Sequence, residues 1–157
     1  MSRRFELAIE SLSDALALNP SLSLAHVIKG STYAYNGMNM DASHHLAIAT
    51  RLSPRDFTQA ANYSVTGLCR LMDGQFEDAM SFERKAVQLR PHFGTAWRTY
   101  AAAAGLAGDM EAAKAALAEA KRLQPSLSLE WVENFHPIVK LQHRQIYCQG
   151  LRIAGLR

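Results

Sequence analysis

Three residue types recur in step along this chain. Ala8, Ala15 and Pro20 are followed by Ala42, Ala49 and Pro54, then by Ala79, Ala86 and Pro91, then by Ala113, Ala120 and Pro125. The prolines stand 34, 37 and 34 residues apart. Such a period belongs to a stack of supersecondary units sharing one ribbon of core, not to a closed globule. Proline stops a helix because it lacks the N–H that would continue the ladder. Alanine at two fixed sites lets neighbouring helices approach closely.

Glycine divides each unit. Gly37, Gly74 and Gly108 stand 37 and 34 residues apart, each where a first helix would end in a left-handed residue and turn into a second. First helices are expected over 24–36, 57–73 and 95–107, and second helices over 40–52, 75–89 and 110–123. Tyr33, Leu46, Tyr63, Phe76, Phe82, Trp97, Tyr100 and Leu117 fall at core positions of this register. The 37-residue step places three extra residues within 55–61. With Asp56 as an N-cap before Phe57, the first helix there is expected to begin a turn early.

The segment containing Trp97, Tyr100-Ala101, Gly108-Asp109, Ala113, Leu117, Ala120 and Pro125 resembles the tetratricopeptide repeat. Gly30, Tyr33, Gly37, Ala42, Leu46, Ala49 and Pro54 give a second match, and Tyr63, Gly67, Gly74, Ala79, Ala86 and Pro91 a third. Three positions depart from the pattern: His26 replaces a Trp, Lys29 a Leu, and Glu83 the Phe, with Phe82 beside it. The resemblance implies an all-α, right-handed superhelical solenoid of antiparallel helix pairs, about eight to nine helices in one domain. Its units are a half repeat over 3–20, repeats over 23–54, 57–91 and 94–125, and a modified repeat with a capping helix over 127–157.

Both ends depart from the period. Pro20-Ser21-Leu22-Ser23-Leu24 recurs as Pro125-Ser126-Leu127-Ser128-Leu129, so a further unit opens there with Trp131 at its Trp site. Pro137 is then expected at the first position of a closing helix over 138–149. The ending Gly150-Leu151-Arg152-Ile153-Ala154-Gly155-Leu156 resembles that of tetratricopeptide tails on bacterial adenylate/guanylate cyclases and winged-helix regulators, which implies a larger signalling chain. At the other end, residues 3–18 match a second helix alone. Its stripe of Phe5, Ile9, Leu12 and Leu16 is expected to meet a second copy of the chain or an upstream segment.

The chemistry of the sequence points to binding. No Gly-rich phosphate loop, HExxH or GxSxG occurs, and the adjacent His44 and His45 would point about 100° apart on a helix. Neither catalysis, cofactor nor metal is expected. Only two cysteines, Cys69 and Cys148, are present, with no apolar leader and no long apolar run, which suits a cytoplasmic chain free of the membrane. Residues 1–78 carry 6 Lys/Arg against 8 Asp/Glu, and residues 79–157 carry 11 against 6. Lys140, Arg144, Arg152 and Arg157 form a basic end, sparse for nucleic acid, which makes a nucleic-acid accessory role the alternative reading.

In the family resembled, first helices line a concave groove. By register its residues here are Val27, Ser31, Tyr35, Ser64, Leu68, Leu71, Met72, Arg98, Ala102 and Leu106. The carboxylate clamp of some members is not matched, since Val27, Ser31, Val65, Thr95 and Thr99 stand at its places. The groove is expected to take an amphipathic helix or an extended peptide of a protein partner, with Arg98 pairing an acid.

Overall fold

A computed structural model describes residues 3–55 and 57–157. Among these, nine helices and no strands follow one another: α1 Arg3–Leu18, α2 Ser23–Tyr35, α3 Asn39–Leu52, α4 Gln59–Met72, α5 Phe76–Leu89, α6 Gly94–Ala107, α7 Met110–Leu123, α8 Leu129–Phe135 and α9 Leu141–Ala154. Helices α2/α3, α4/α5 and α6/α7 are the three antiparallel pairs. Each pair turns at a glycine of positive φ: Gly37 at 77°, Gly74 at 77° and Gly108 at 82°. An L side chain is strained in that conformation, so the glycine spacing in the sequence is the spacing of the turns. Asp109 reinforces one turn by accepting from the Ala112 N–H at 3.0 Å.

The alanine register is a packing register. Ala42, Ala49, Ala79, Ala86, Ala113 and Ala120 are all buried, whereas Ala8 and Ala15 on α1 are only half-buried. Helix α1 packs on α2 alone. Phe5 is buried and sits edge-on to Tyr33, ring centroids 6.0 Å apart, while Ile9, Leu12 and Leu16, the rest of the stripe expected to await a partner, are half-buried.

Two expectations about helix boundaries are corrected. The 37-residue step does not start a helix early: α4 begins at Gln59, and the extra residues lengthen the turn before it. The proposed cap, Asp56, lies outside the described residues. The Gln59 side-chain amide donates to the Ser53 carbonyl at 2.6 Å and closes that turn on itself. Nor does Pro137 open a helix. Residues 136–140 are extended, and α9 starts at Leu141 and runs on through Ala154. Proline supplied the stop after α8, and the next helix began only when the chain had crossed the molecule.

That crossing is the main feature of the fold. From α8 the extended segment reaches the end of α2, where the Val139 N–H donates to the Tyr35 carbonyl at 2.8 Å. Helix α9 then runs back along the first helices, touching α4 and packing most extensively on α6. Gly150 makes this possible. A Cβ there would lie 2.3 Å from the Ala102 carbonyl oxygen, and a Cβ on Gly105 would lie 2.4 Å from that of Gly150. The two helices therefore cross backbone to backbone.

Candidate functional site: the concave face and its resident helix

Most of the residues expected to line a groove on α4 and α6, with Tyr35 at the end of α2, meet the protein's own C-terminal segment. Leu68, Leu71 and Ala102 share one buried cluster with Ile138, Tyr147, Cys148, Leu151, Ala154 and Leu156; Tyr35, Met72 and Leu106 pack against it. Val27 and Ser64 are buried, and the half-buried Ser31 donates back to the Val27 carbonyl at 2.8 Å. The Tyr147 hydroxyl meets the Thr99 hydroxyl at 3.2 Å on α6. His136 lies between two rings, 6.2 Å from Tyr35 and 4.6 Å from Tyr147. Sequence register identified the inward face of α2, α4 and α6, but not what fills it.

Arg98, expected to pair an acid of a partner, is engaged within the chain. Its guanidinium donates to the Gln124 side-chain oxygen at 2.7 Å and to the Thr95 hydroxyl at 3.2 Å, and lies 5.1 Å from the centre of the Trp131 ring. A buried cation held by neutral acceptors and an aromatic face raises the local potential. That potential acts with burial on His136: desolvation first, then Arg98 and Arg144, lower its pKa from 6.5 to about 3. Burial likewise pushes Tyr147 up to about 12 and raises Tyr35, whose upward shift Arg98 opposes. A cavity of about 20 Å³, room for one water, lies between Tyr35, Ser64, Leu68, Thr95, Thr99 and His136.

Glu83 is the departure with the largest consequence. Standing where the repeat pattern has Phe, it is fully buried, and burial holds its carboxyl well above the usual 4.5, opposed only by Ser64. Gly67 makes room for it, since a Cβ there would come within 2.7 Å of its Oε1. With Glu83 occupying the inward site of α5, Phe82 is turned aside. Its ring lies half-exposed 6.3 Å from Tyr63, also half-exposed, though both were expected in the core.

The residues of the basic end differ in their surroundings. Arg144 is spent on structure: its guanidinium donates to the Ile138 carbonyl at 2.8 and 3.0 Å and to that of Glu133 at 3.1 Å, bracing the extended segment. Lys140 is exposed and lies over Gly37, Arg152 is exposed and borders the same surface pocket as Arg144, and Arg157 is exposed.

One pairing went unread in the sequence. His26 and His45 meet Nδ1 to Nδ1 at 2.9 Å, and His26 Nε2 stands 3.1 Å from the Pro20 carbonyl. His26 replacing Trp at its repeat position was the available signal. Burial, with Lys29 next in weight, lowers the His45 pKa to about 4. No group of three or more His, Cys, Asp or Glu among the described residues is placed to hold a metal, and no described helix is long and apolar enough to cross a membrane.

Helix pairs in register, glycine turns and a shared ribbon of core define an all-α helical-repeat solenoid. Solved structures of MamA are similar to it. One has a TM-score of 0.66 at 20% identity, covering 96% of this chain and 86% of that one; a second has 0.65 at 18%, covering 96% and 79%. A structure of PilW, titled a widely conserved type IV pilus biogenesis factor, gives 0.47 at 18%, covering 91% and 82%. No family model and no curated protein matches the chain.

Proposed function

We propose that this protein is a non-catalytic protein-interaction module of the tetratricopeptide type, whose concave face recognises a helix. One observation carries the reading: the face formed by Leu68, Leu71 and Ala102, with Tyr35 at its edge, already grips a helix, and that helix is α9. A partner helix would take the same place only by displacing it. The cost is large, because Ile138, Tyr147, Leu151 and Leu156 are almost wholly buried, on the order of 6–12 kcal/mol of transfer free energy before the entropy regained. Exchange is therefore slow, and a partner must offer comparable chemistry: a residue that bonds the Tyr35 carbonyl, an aromatic on Thr99, and a small residue at the crossing.

A labelled synthetic peptide of residues 136–157 tests this on the full chain. A helix-recognising face takes it up slowly in exchange for α9, and Gly→Leu at the peptide position matching Gly150 abolishes uptake. Complete absence of uptake after prolonged incubation at the edge of the thermal transition refutes the reading. The setting in a larger bacterial signalling chain, which the Gly150–Leu156 resemblance suggested, has a competing account. Gly150 and Ala154 are the small residues that seat α9 on α6, Gly155 ends the helix at a φ of 106°, and Leu156 is buried.

A second reading, self-association through the N-terminal edge, rests on the apolar surface there. Leu7, Leu18, Leu22, Leu24 and Ile28 are exposed, Leu18 by 89%, Ile9, Leu12 and Leu16 are half-buried, and Phe5 is buried against Tyr33. Gel filtration across a dilution series tests it, and a monomer at every concentration overturns it.

A further inference from the structure

We propose that the cleft between α3 and α5 is a docking site for an acidic segment of a partner protein carrying leucine or aromatic anchors. The inference rests on the interaction-module reading but concerns a different surface, one that α9 leaves open. Helix α9 touches neither α3 nor α5, and α3 and α5 do not touch one another; α4 is the floor between them. The lengthened turn before α4 contributes Pro54 and Arg55 to the border of this cleft.

Two lobes of about 460 and 420 Å³ meet at Tyr63. The first is bordered by His44, Thr50, Arg51, Thr66, Arg70 and Phe82, the second by Pro54, Arg55, Gln59 and Lys85. Among the described residues no carboxylate lines either lobe. None of these cations has an ion-pair partner among the described residues, where Arg122 and Glu119 form the one pair found. This concentration of positive charge lies almost wholly in residues 1–78, which carry more acids than bases, so it is local and not the overflow of a basic chain. A cleft of one sign with low-dielectric walls focuses its field on an incoming segment of opposite sign.

Charge alone does not describe the cleft. Phe82 and Tyr63 offer half-exposed rings, and the Lys85 ammonium lies 5.1 Å from the centre of the first and 5.8 Å from that of the second. Phe82 stands beside Glu83, which holds the inward position of α5, and the Tyr63 ring faces the Phe82 ring from α4. An apolar side chain inserted between them finds aromatic walls, while carboxylates beside it meet Arg51, Arg55 and Lys85. Aromatic anchors ringed by cations suit an acidic amphipathic peptide, and fit neither a basic segment nor an acid-only one.

Nuclear magnetic resonance on the isotope-labelled full chain tests this, with a synthetic peptide alternating glutamate with leucine and phenylalanine. Saturable shifts at the amides of Thr50, Tyr63, Thr66 and Phe82 are expected. Binding should weaken about tenfold or more in the Arg51→Glu, Lys85→Glu double variant, which removes two favourable charge contacts and adds repulsion. Both positions are exposed, so the fold is retained, and uptake of the 136–157 peptide stays unchanged in that variant. An oligoglutamate of equal charge should bind about tenfold more weakly, since it lacks the anchors. Absence of saturable binding, equal binding by the lysine-for-glutamate peptide, shifts confined to Arg144 and Arg152, or affinity untouched by the double variant would each overturn the proposal.

Discussion

Replacing Gly150 with alanine sets two opposing effects against each other. In an isolated helix the change is favourable by about 1 kcal/mol, because alanine loses less backbone entropy. In this protein the new Cβ would sit 2.3 Å from the Ala102 carbonyl oxygen and 2.9 Å from the Ala102 Cα and carbonyl carbon. All three are backbone atoms of α6, so no rotamer change relieves the clash. Reaching ordinary contact requires α9 to back off by about 1 Å, which loosens Tyr147 against Thr99 and Leu151 in the core. Overpacking of this kind costs about 1–3 kcal/mol, here towards the upper figure since backbone is involved. The net expectation is a loss of about 2 kcal/mol, or a Tm lower by about 4–8 °C for a chain of this size. Thermal unfolding followed by circular dichroism measures the first quantity, and hydrogen exchange locates it: protection should fall in α9 and on the facing turn of α6 before it falls in α3 or α5. A Gly150→Ala protein as stable as the parent, with α9 amides fully protected, would refute the seating of this helix.

His136 and Glu83 should give stability opposite pH dependences. The unfolded His136 takes up a proton near pH 6.5 but the folded one only near 3, so its stabilisation, present above 6.5, is lost as pH falls towards 3, to a limit on the order of 5 kcal/mol. Urea unfolding across pH checks this: His136→Gln should lose the acid-side dependence, and an unaltered profile contradicts the burial argument. Glu83, with its folded pKa raised, stabilises fully below about 4.5 and progressively less as pH rises; Glu83→Gln should be more stable than the parent on the alkaline side, and less stable there if the carboxylate is ionised and paired. The Pro20 carbonyl can only accept, which puts a proton on His26 Nε2, and the Nδ1–Nδ1 contact is then expected to be donated by His45. Nitrogen NMR of the imidazoles reads this directly, and an Nε2–H tautomer at His45 would rule it out.

The period was legible because its causes are local. A glycine that must be left-handed, an alanine that must be small and a proline that must end a helix each act within one turn of themselves, so their spacing is written along the chain. The path of residues 136–154 obeys no such rule. Its position depends on Tyr35 and Ala102, about a hundred and about fifty residues earlier, and on Gly150 and Gly105 being bare on facing helices. Each glycine alone reads as a weak helix position; only their juxtaposition shows a crossing. The groove residues were found in the same local sense, as the inward face of the first helices, while the occupant of that face is a fact of tertiary structure.

Glu83 and the three-residue insertion look independent in the sequence, one a replaced core residue and the other a longer turn. In space they act on the same cleft. The lengthened turn supplies Arg55 to its border, and Phe82, next to the buried Glu83, lines it together with Tyr63. Neither change helps a minimal solenoid: a buried carboxyl without an ionic partner costs stability, and a half-exposed phenylalanine forgoes burial. Departures that cost stability at two separate positions, yet converge on one cation-lined aromatic cleft, are most simply explained by a requirement on that surface. The concave face, sealed by α9, makes no such demand on either residue.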